Sequence, residues 1–221
     1  MLVPRRFANR RQAGVELAAR VLEFTSPPTV VLGIPRGGVA VAAPVAELLG
    51  ASLCAVWVRK LVLSREPEVT FGAVDLDGDA TLAAEIVRAE AISGEEVAEL
   101  AYDAHQRLLA EWERMPGLDP SSLLPGATAV IVDDAMHTGV TLRAAMRWAR
   151  RQFVRAVVLC VPVVDRRIWH RVAGDADRAI TLEELDLGPL SRGDIYEDFK
   201  RISDGDIQQL LQAATVYDAS P

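Results

Sequence analysis

Apolar positions along the chain follow two rhythms that alternate almost from end to end. Residues 11–24 carry Val15, Leu17, Ala18, Val21 and Leu22 at helical spacing. Ser26, Pro27 and Pro28 stop that pattern, and residues 29–34 (TVVLGI) form an unbroken apolar run rich in β-branched side chains. Such a run marks a strand covered on both faces. Pro35-Arg36-Gly37-Gly38 turns the chain into an apolar helix over 39–49, and 53–58 (LCAVWV) is the next covered strand. Strand, helix and strand in this order predict a βαβ unit with parallel strands. Residues 61–80 mix Pro67, Gly72, Gly78 and several charges and are expected to form a long loop with a small hairpin at 69–75. Helices are predicted over 81–92 and, behind a Ser93–Glu96 capping box, over 94–115, ended by Pro116-Gly117. A Pro- and Ser-bearing connector at 118–127 leads to a covered strand at 128–132 and a helix at 140–152. A strand at 154–161 follows, then a short helix opened by Pro162 and Asp165, an edge strand at 179–182, and a last helix over 207–216 capped by Ser203 and Asp206.

Near-continuous apolar strands separated by helices predict the α/β class: a parallel sheet flanked by helices on both faces. The 221 residues fit a single domain on a prior of roughly 150 residues per domain. A content of 50% hydrophobic and 25% charged residues excludes a disordered chain or a disulfide scaffold. Cys54 and Cys160 lie in apolar runs and are expected as buried free thiols; their spacing offers no zinc site. With 24 basic and 31 acidic side chains the net charge is −7, which argues against nucleic acid as a partner. Residues 37–58 hold only one charge, Glu47, but Pro44, Gly50 and Ser52 interrupt them, so a buried helix and strand are expected there and no membrane span. The opening MLVPRRFANRRQ is basic without an apolar stretch, unlike a secretory signal, and a cytoplasmic protein is expected.

Ligands of open parallel sheets bind beyond the carboxyl ends of the strands, so the residues following each strand are the candidates for chemistry. The segment 130–141, VIVDDAMHTGVT, ends a covered strand in Asp133 and Asp134 and then opens a helix through His137, Thr138, Gly139, Val140 and Thr141. Free N–H groups at the start of that helix favour an anion, and the two threonine hydroxyls add donors. Carboxylates beside an anion cradle suit a sugar phosphate or a hydrated Mg²⁺; an acidic pair that merely caps a helix fits the same residues. Neither GxxxxGK[ST] nor GxGxxG occurs. Arg36, Gly37 and Gly38 follow the first strand, and Arg59 and Lys60 follow the second, where adjacent cations suit a diphosphate.

The strand, the two acids and the closing TGVT resemble the phosphoribosyl-pyrophosphate (PRPP) motif of type I phosphoribosyltransferases, with departures at Ala135 and His137. FANRRQAGVELAARV, VLGIPRGGVAVA, VRKL with EPEVTFGAV, and IYEDFKRISDGDIQQLL extend the resemblance over most of the chain, to a group of bacterial phosphoribosyltransferases without an assigned substrate. The resemblance implies an enzyme of the pentosyltransferase kind that binds PRPP with Mg²⁺. It would transfer the phosphoribosyl group to a nitrogen base and release pyrophosphate, a reaction of nucleotide salvage. Asp133 and Asp134 would hold the ribose and stabilise its developing charge, with Mg²⁺ nearby. His137, Thr138, Gly139, Val140 and Thr141 would anchor the 5-phosphate, and Arg36, Gly37, Gly38, Arg59 and Lys60 the pyrophosphate. It also implies a mobile loop at 61–80, a helical insertion at 81–117, and a hood over the base from 1–12, from 162–221, or from both. Phe7, Trp169, Tyr196 and Phe199 are candidates to stack on a ring, with core packing as the alternative for each. His105 is expected in solvent. A non-catalytic sensor of PRPP or a nucleotide is the alternative function, and the pattern of the long helix leaves open whether it packs within the chain or against a second copy in a homodimer.

Overall fold

The computed structural model describes residues 7–115, 119–187 and 192–215. The first half runs α1 (Arg10–Val21), β1 (Thr29–Gly33), α2 (Gly37–Leu49), β2 (Ser52–Ala55), β3 (Val58–Val62), β4 (Thr70–Asp75), β5 (Ala80–Leu82), α3 (Ala84–Ala89) and α4 (Gly94–Arg114). The second runs β6 (Thr128–Val132), α5 (Val140–Arg151), β7 (Ala156–Asp165), α6 (Arg166–Ala173), β8 (Arg178–Leu185), α7 (Arg192–Ile195) and α8 (Asp204–Thr215).

Five strands form the expected parallel sheet, in the order β2-β1-β6-β7-β8. Successive side chains of a strand point to opposite faces. Val31, Leu53, Val130 and Val158 therefore pack with Leu17, Val45 and Leu211 of α1, α2 and α8. Val30, Leu32, Ile131 and Leu159 pack on the other side with Leu142, Trp148 and Trp169 of α5 and α6. From β1 the chain crosses by α2 to β2 on one flank, and from β6 it crosses by α5 to β7 on the other. The connections diverge between β1 and β6, and the crevice at those two carboxyl ends is where such a sheet takes its ligand.

Several boundaries differ from the expectation. The apolar run 53–58 is divided between two sheets: β2 ends at Ala55 and β3 begins at Val58. Much of the stretch expected as a loop, 61–80, is strand, because β3, β4 and β5 pair antiparallel in a second sheet. Leu61, Leu63, Phe71 and Val74 bury its apolar side. A continuous apolar run carries no sign of the handover, since both sheets are covered. Thr81 and Leu82 belong to β5 rather than to a helix, and α4 packs within the chain, against β3 and β4. Pro162 lies inside β7 instead of opening a helix. The ladder from β6 ends at the Val132–Cys160 pair, so the missing N–H of Pro162 breaks no bond there. The helix stop at Pro116-Gly117 and the last predicted helical residue, Val216, lie outside the described residues.

The two terminal segments meet. Phe7 N–H donates to the Ile195 carbonyl at 2.9 Å, and Glu197 N–H donates to the Phe7 carbonyl at 2.9 Å. Phe7, Ile195, Tyr196 and Leu187 form a small core of their own with Ala13, Ala135 and Val163. Residues 7–10 thus lie against 195–200, in the stretches expected to supply a hood, whereas 162–185 completes the main sheet with α6. Residues 1–6, 188–191 and 216–221 of the expected hood lie outside the described residues. Among the described residues no helix is long and apolar enough to cross a membrane. Cys54 and Cys160 are buried thiols outside any disulfide, and burial pushes the Cys160 thiol up.

An arginine of α5 adds an ionic tie to the apolar packing of the second sheet on that helix. Arg151 Nη2 lies 2.7 Å from Asp75 Oδ2 and 3.0 Å from Asp77 Oδ2, and its Nη1 lies 3.3 Å from Asp79 Oδ2. Asp75 is buried, and its Oδ1 accepts the N–H groups of Asp77 and Asp79 at 3.1 Å each. Burial raises the Asp75 carboxyl above its usual range, against the pull of Arg151. Arg151→Met should therefore cost about 2 kcal/mol at neutral pH, because it strands a buried carboxylate without its cation. The raised carboxyl takes up a proton more readily in the folded state. Urea titrations should accordingly show the loss at full size above the folded pKa of the variant, which lies higher still without Arg151, and shrinking as pH falls from there toward the folded pKa of the wild type.

Candidate active site

Glycines let β1 and β6 bring their ends together. A Cβ on Gly38 would stand 2.6 Å from the Val132 carbonyl oxygen, and one on Gly37 would stand 2.0 Å from Asp134 Oδ2. Any side chain at Gly37 would displace the carboxylate. Both glycines fall in the first turn of α2, with the Pro35–Arg36 peptide bond in the cis form just before it. The end of β6 is buried: Asp133 and Asp134 are both inaccessible to all but a small fraction of their surface. Asp133 Oδ1 accepts the Asp134 N–H at 2.8 Å.

Arg10, in the first turn of α1, is buried against Asp134. Its Nε and Nη2 donate to Asp134 Oδ2 at 3.0 and 2.9 Å, and its Nη1 donates to the Lys200 carbonyl at 3.0 Å. The guanidinium also lies 5.2 Å from the Tyr196 ring centre and 4.5 Å from that of Phe199. The Tyr196 hydroxyl donates to the Asp134 carbonyl at 2.7 Å. One aspartate thus collects the N-terminal helix, the end of β6 and the C-terminal segment.

A cavity of about 520 Å³ opens at this point. Its lining includes Asp133, Asp134, Thr141, Gly37 and five cations: Arg10, Arg36, Arg59, Lys60 and Arg201. Three carboxylates face them, the two aspartates and Glu111, so a protein of net charge −7 presents a local cationic excess here. Arg59 and Lys60 reach the cavity from the start of β3 rather than from the end of β2, so the cations belong to the second sheet. Trp57, Leu108, Phe199 and Ile202 give the cavity an apolar side. Of the four aromatic candidates only Phe199 lines it; Phe7 and Tyr196 form the terminal core and Trp169 packs under the main sheet.

The turn from β6 to α5 carries the remaining predicted residues. Gly139 stands before the first turn of α5 with φ 72°, a left-handed conformation, and a Cβ there would meet Val172 Cγ2 at 2.6 Å. Thr141 faces the cavity, Val140 is buried among Ala73, Ala83 and Ala144, and Thr138 is exposed. His137 is half-buried. Arg167 holds the Asp165 carboxyl below its usual range, and His137 adds a small pull in the same direction. His105, expected in solvent, is half-buried with Nε2 3.0 Å from the Leu76 carbonyl oxygen.

Arg10, Trp57, Glu111 and Arg201 escaped the sequence reading. Trp57 stands two residues before Arg59 in an apolar run, and Arg10 is one of several arginines near the start of the chain. Neither differs in pattern from a core or surface residue.

Arg10→Met should lower stability by about 3 kcal/mol, the cost of leaving the Asp134 carboxylate buried without its cation. Tyr196→Phe should cost about 1 kcal/mol through the lost hydrogen bond. Urea denaturation of both single variants and the double variant should show coupling, since the two side chains hold the same aspartate.

Residues 9–186 match the model of the phosphoribosyl transferase domain family. Two Mycobacterium tuberculosis proteins, one from strain CDC 1551 and one from H37Rv, both provisionally named phosphoribosyl transferases, are each 37% identical over 216 residues, 94% of this chain. The alignment takes in 47% of their length, so the chain spans about half of these curated relatives. The crystal structure of TT1426 from Thermus thermophilus superposes with a TM-score of 0.78 at 32% identity, covering 95% of this chain and 99% of that one. The parallel sheet, its glycine-lined crevice and the matched span agree: the chain belongs to the phosphoribosyl transferase family.

Proposed function

We propose that the cavity binds PRPP with Mg²⁺ and that the protein transfers the 5-phosphoribosyl group to a nitrogen base, releasing pyrophosphate. The observation that carries this reading is the carboxylate pair at the end of β6, set between the α5 turn and a group of cations in one cavity. Each part meets a different portion of an activated sugar phosphate. The α5 turn, with Gly139 left-handed and Thr141 on the cavity, offers N–H groups and hydroxyls to the 5-phosphate, with His137, Thr138 and Val140 shaping the turn. Arg36, Arg59 and Lys60, with the backbone at Gly37 and Gly38, take the diphosphate.

Asp133 and Asp134 take the ribose hydroxyls. As the anomeric bond breaks, positive charge develops on the ring, and fixed carboxylates beside it stabilise that charge without reorganising. Asp134 is oriented by Arg10 and Tyr196. Among the described residues no cluster of three metal-ligating side chains occurs, and Asp133 and Asp134 are the cavity's carboxylates that would meet an ion carried by the substrate. Bound Mg²⁺ supplies charge neutralisation for the leaving diphosphate. The apolar side of the cavity, with Trp57 and Phe199, receives the base, and the nucleophilic nitrogen attacks the anomeric carbon as the diphosphate departs.

Calorimetric titration with Mg²⁺-PRPP should give micromolar binding by the wild type. Asp133→Asn, which leaves the Arg10–Asp134 pair in place, should reduce pyrophosphate release with an accepted base by about 100-fold. The double Asp133→Asn/Asp134→Asn variant should lose PRPP binding. Gly139→Ala should weaken PRPP binding by about tenfold, because a Cβ forces the turn away from its left-handed conformation. Binding without pyrophosphate release on any purine, pyrimidine or other nitrogen acceptor would turn the reading toward a PRPP sensor. A folded wild type that does not bind PRPP would end it.

A further inference from the structure

Glu111 lies on α4, one turn beyond Leu108, and both line the cavity. Its two carboxylate oxygens are each engaged by a different cation. Oε1 accepts from Arg36 Nη2 at 3.1 Å, and Oε2 accepts from Arg59 Nη1 at 3.0 Å. The Glu111 side chain is only 18% exposed. Arg36 carries a second carboxylate as well, Asp204 Oδ1 at 2.8 Å, from the start of α8. Yet Arg36 Nε is buried and has no hydrogen-bond partner among the described residues.

These observations describe an anion site held by an anion of the protein itself. A carboxylate has two oxygens and one charge, so it serves one N–H on each guanidinium and leaves the Nε donor unmet. A buried donor without a partner costs free energy until an acceptor reaches it. A diphosphate brings more oxygens and more charge than Glu111, in tetrahedral rather than planar arrangement. It can accept from both guanidiniums and from Nε together. A guanidinium fork recognises such a group through parallel N–H donors.

We infer that Glu111 is an internal counter-anion for the diphosphate cradle: it joins Arg36 to Arg59 and is displaced when the diphosphate binds. The inference rests on the reading of this cavity as a diphosphate site and adds a residue that sets its affinity. Glu111 holds the two cations at a bridging distance while opposing any incoming anion. Because it is tethered, it acts at a high effective concentration and retakes the cradle as pyrophosphate leaves. Affinity for the product is thereby lowered, which favours release. Asp204, on an exposed side chain, acts in the same sense but more weakly, since water screens it.

Calorimetric titration of inorganic pyrophosphate into the wild type, Glu111→Gln and Asp204→Asn distinguishes this role from simple positioning. Glutamine keeps the shape and one acceptor oxygen but removes the charge. Glu111→Gln should bind pyrophosphate about tenfold more tightly, and Asp204→Asn by a smaller factor, with both gains diminishing as salt is raised. Unchanged or weaker binding by Glu111→Gln, alongside a wild type that binds pyrophosphate and PRPP, overturns the counter-anion role and leaves the PRPP reading standing. Failure of folded wild type and both variants to bind either ligand overturns the two together. A Glu111→Gln protein that does not fold passes the decision to Asp204→Asn: a gain supports the competition and no gain overturns it.

Discussion

The buried pair of Arg10 with Asp134 is the interaction on which the site depends. Two charges removed from water are tolerated only when each is well supplied with hydrogen bonds. Here the supply comes from far apart: two donors from the guanidinium to one carboxylate oxygen, a third to the Lys200 carbonyl, and the Tyr196 hydroxyl to the Asp134 backbone. The ring of Phe199, over the same guanidinium, faces the cavity. The geometry of the acidic pair and the position of the terminal segments are therefore one constraint. Gly37 belongs to it too, because the space a side chain would need is already filled by Asp134.

Around that anchor the protein balances charge locally instead of globally. An acidic chain holds an anion only where cations converge, and they converge from the end of β1, from β3 and from the terminal segments onto one cavity. The cost of bringing like charges together is offset by carboxylates placed among them: Asp134 against Arg10, Glu111 between Arg36 and Arg59, Asp204 beside Arg36. The same device recurs outside the site, where Arg151 gathers three aspartates and joins the second sheet to α5.

What was legible in the sequence is what depends on neighbours along the chain. The covered strands at 29–34 and 128–132, the helices that follow them, and the loops carrying Arg36, Asp133, Asp134 and Thr141 all announce themselves within a dozen residues. The parallel sheet follows, and so does the location of the crevice. What was illegible depends on distance. The break at Val56–Trp57 is hidden because both sheets are apolar. Arg10 is hidden because its partner lies 124 positions away, and Glu111 because the pattern of its helix names no packing partner until the fold sets it over two arginines. Pro162 misleads for the reverse reason: its local meaning is a break, but β6 on one side of it has already ended, while β8 on the other pairs with β7 before and after it.

The 190-residue separation between Arg10 and the Lys200 carbonyl has a bearing on synthesis as well. Strands β1 to β8 are complete by Leu185, so the sheet and the turns that follow β1 and β6 are present in the nascent chain before residues 196–200 emerge. Domains fold progressively as they leave the ribosome, and contacts between distant segments form late. Until the last segment arrives, Arg10 lacks its carbonyl acceptor, the Asp134 carbonyl lacks the Tyr196 hydroxyl, and Phe199 is missing from the cavity wall. The growing polypeptide thus acquires its main sheet first and the contacts around Asp134 later, because Arg10 is made 190 positions ahead of the carbonyl it meets.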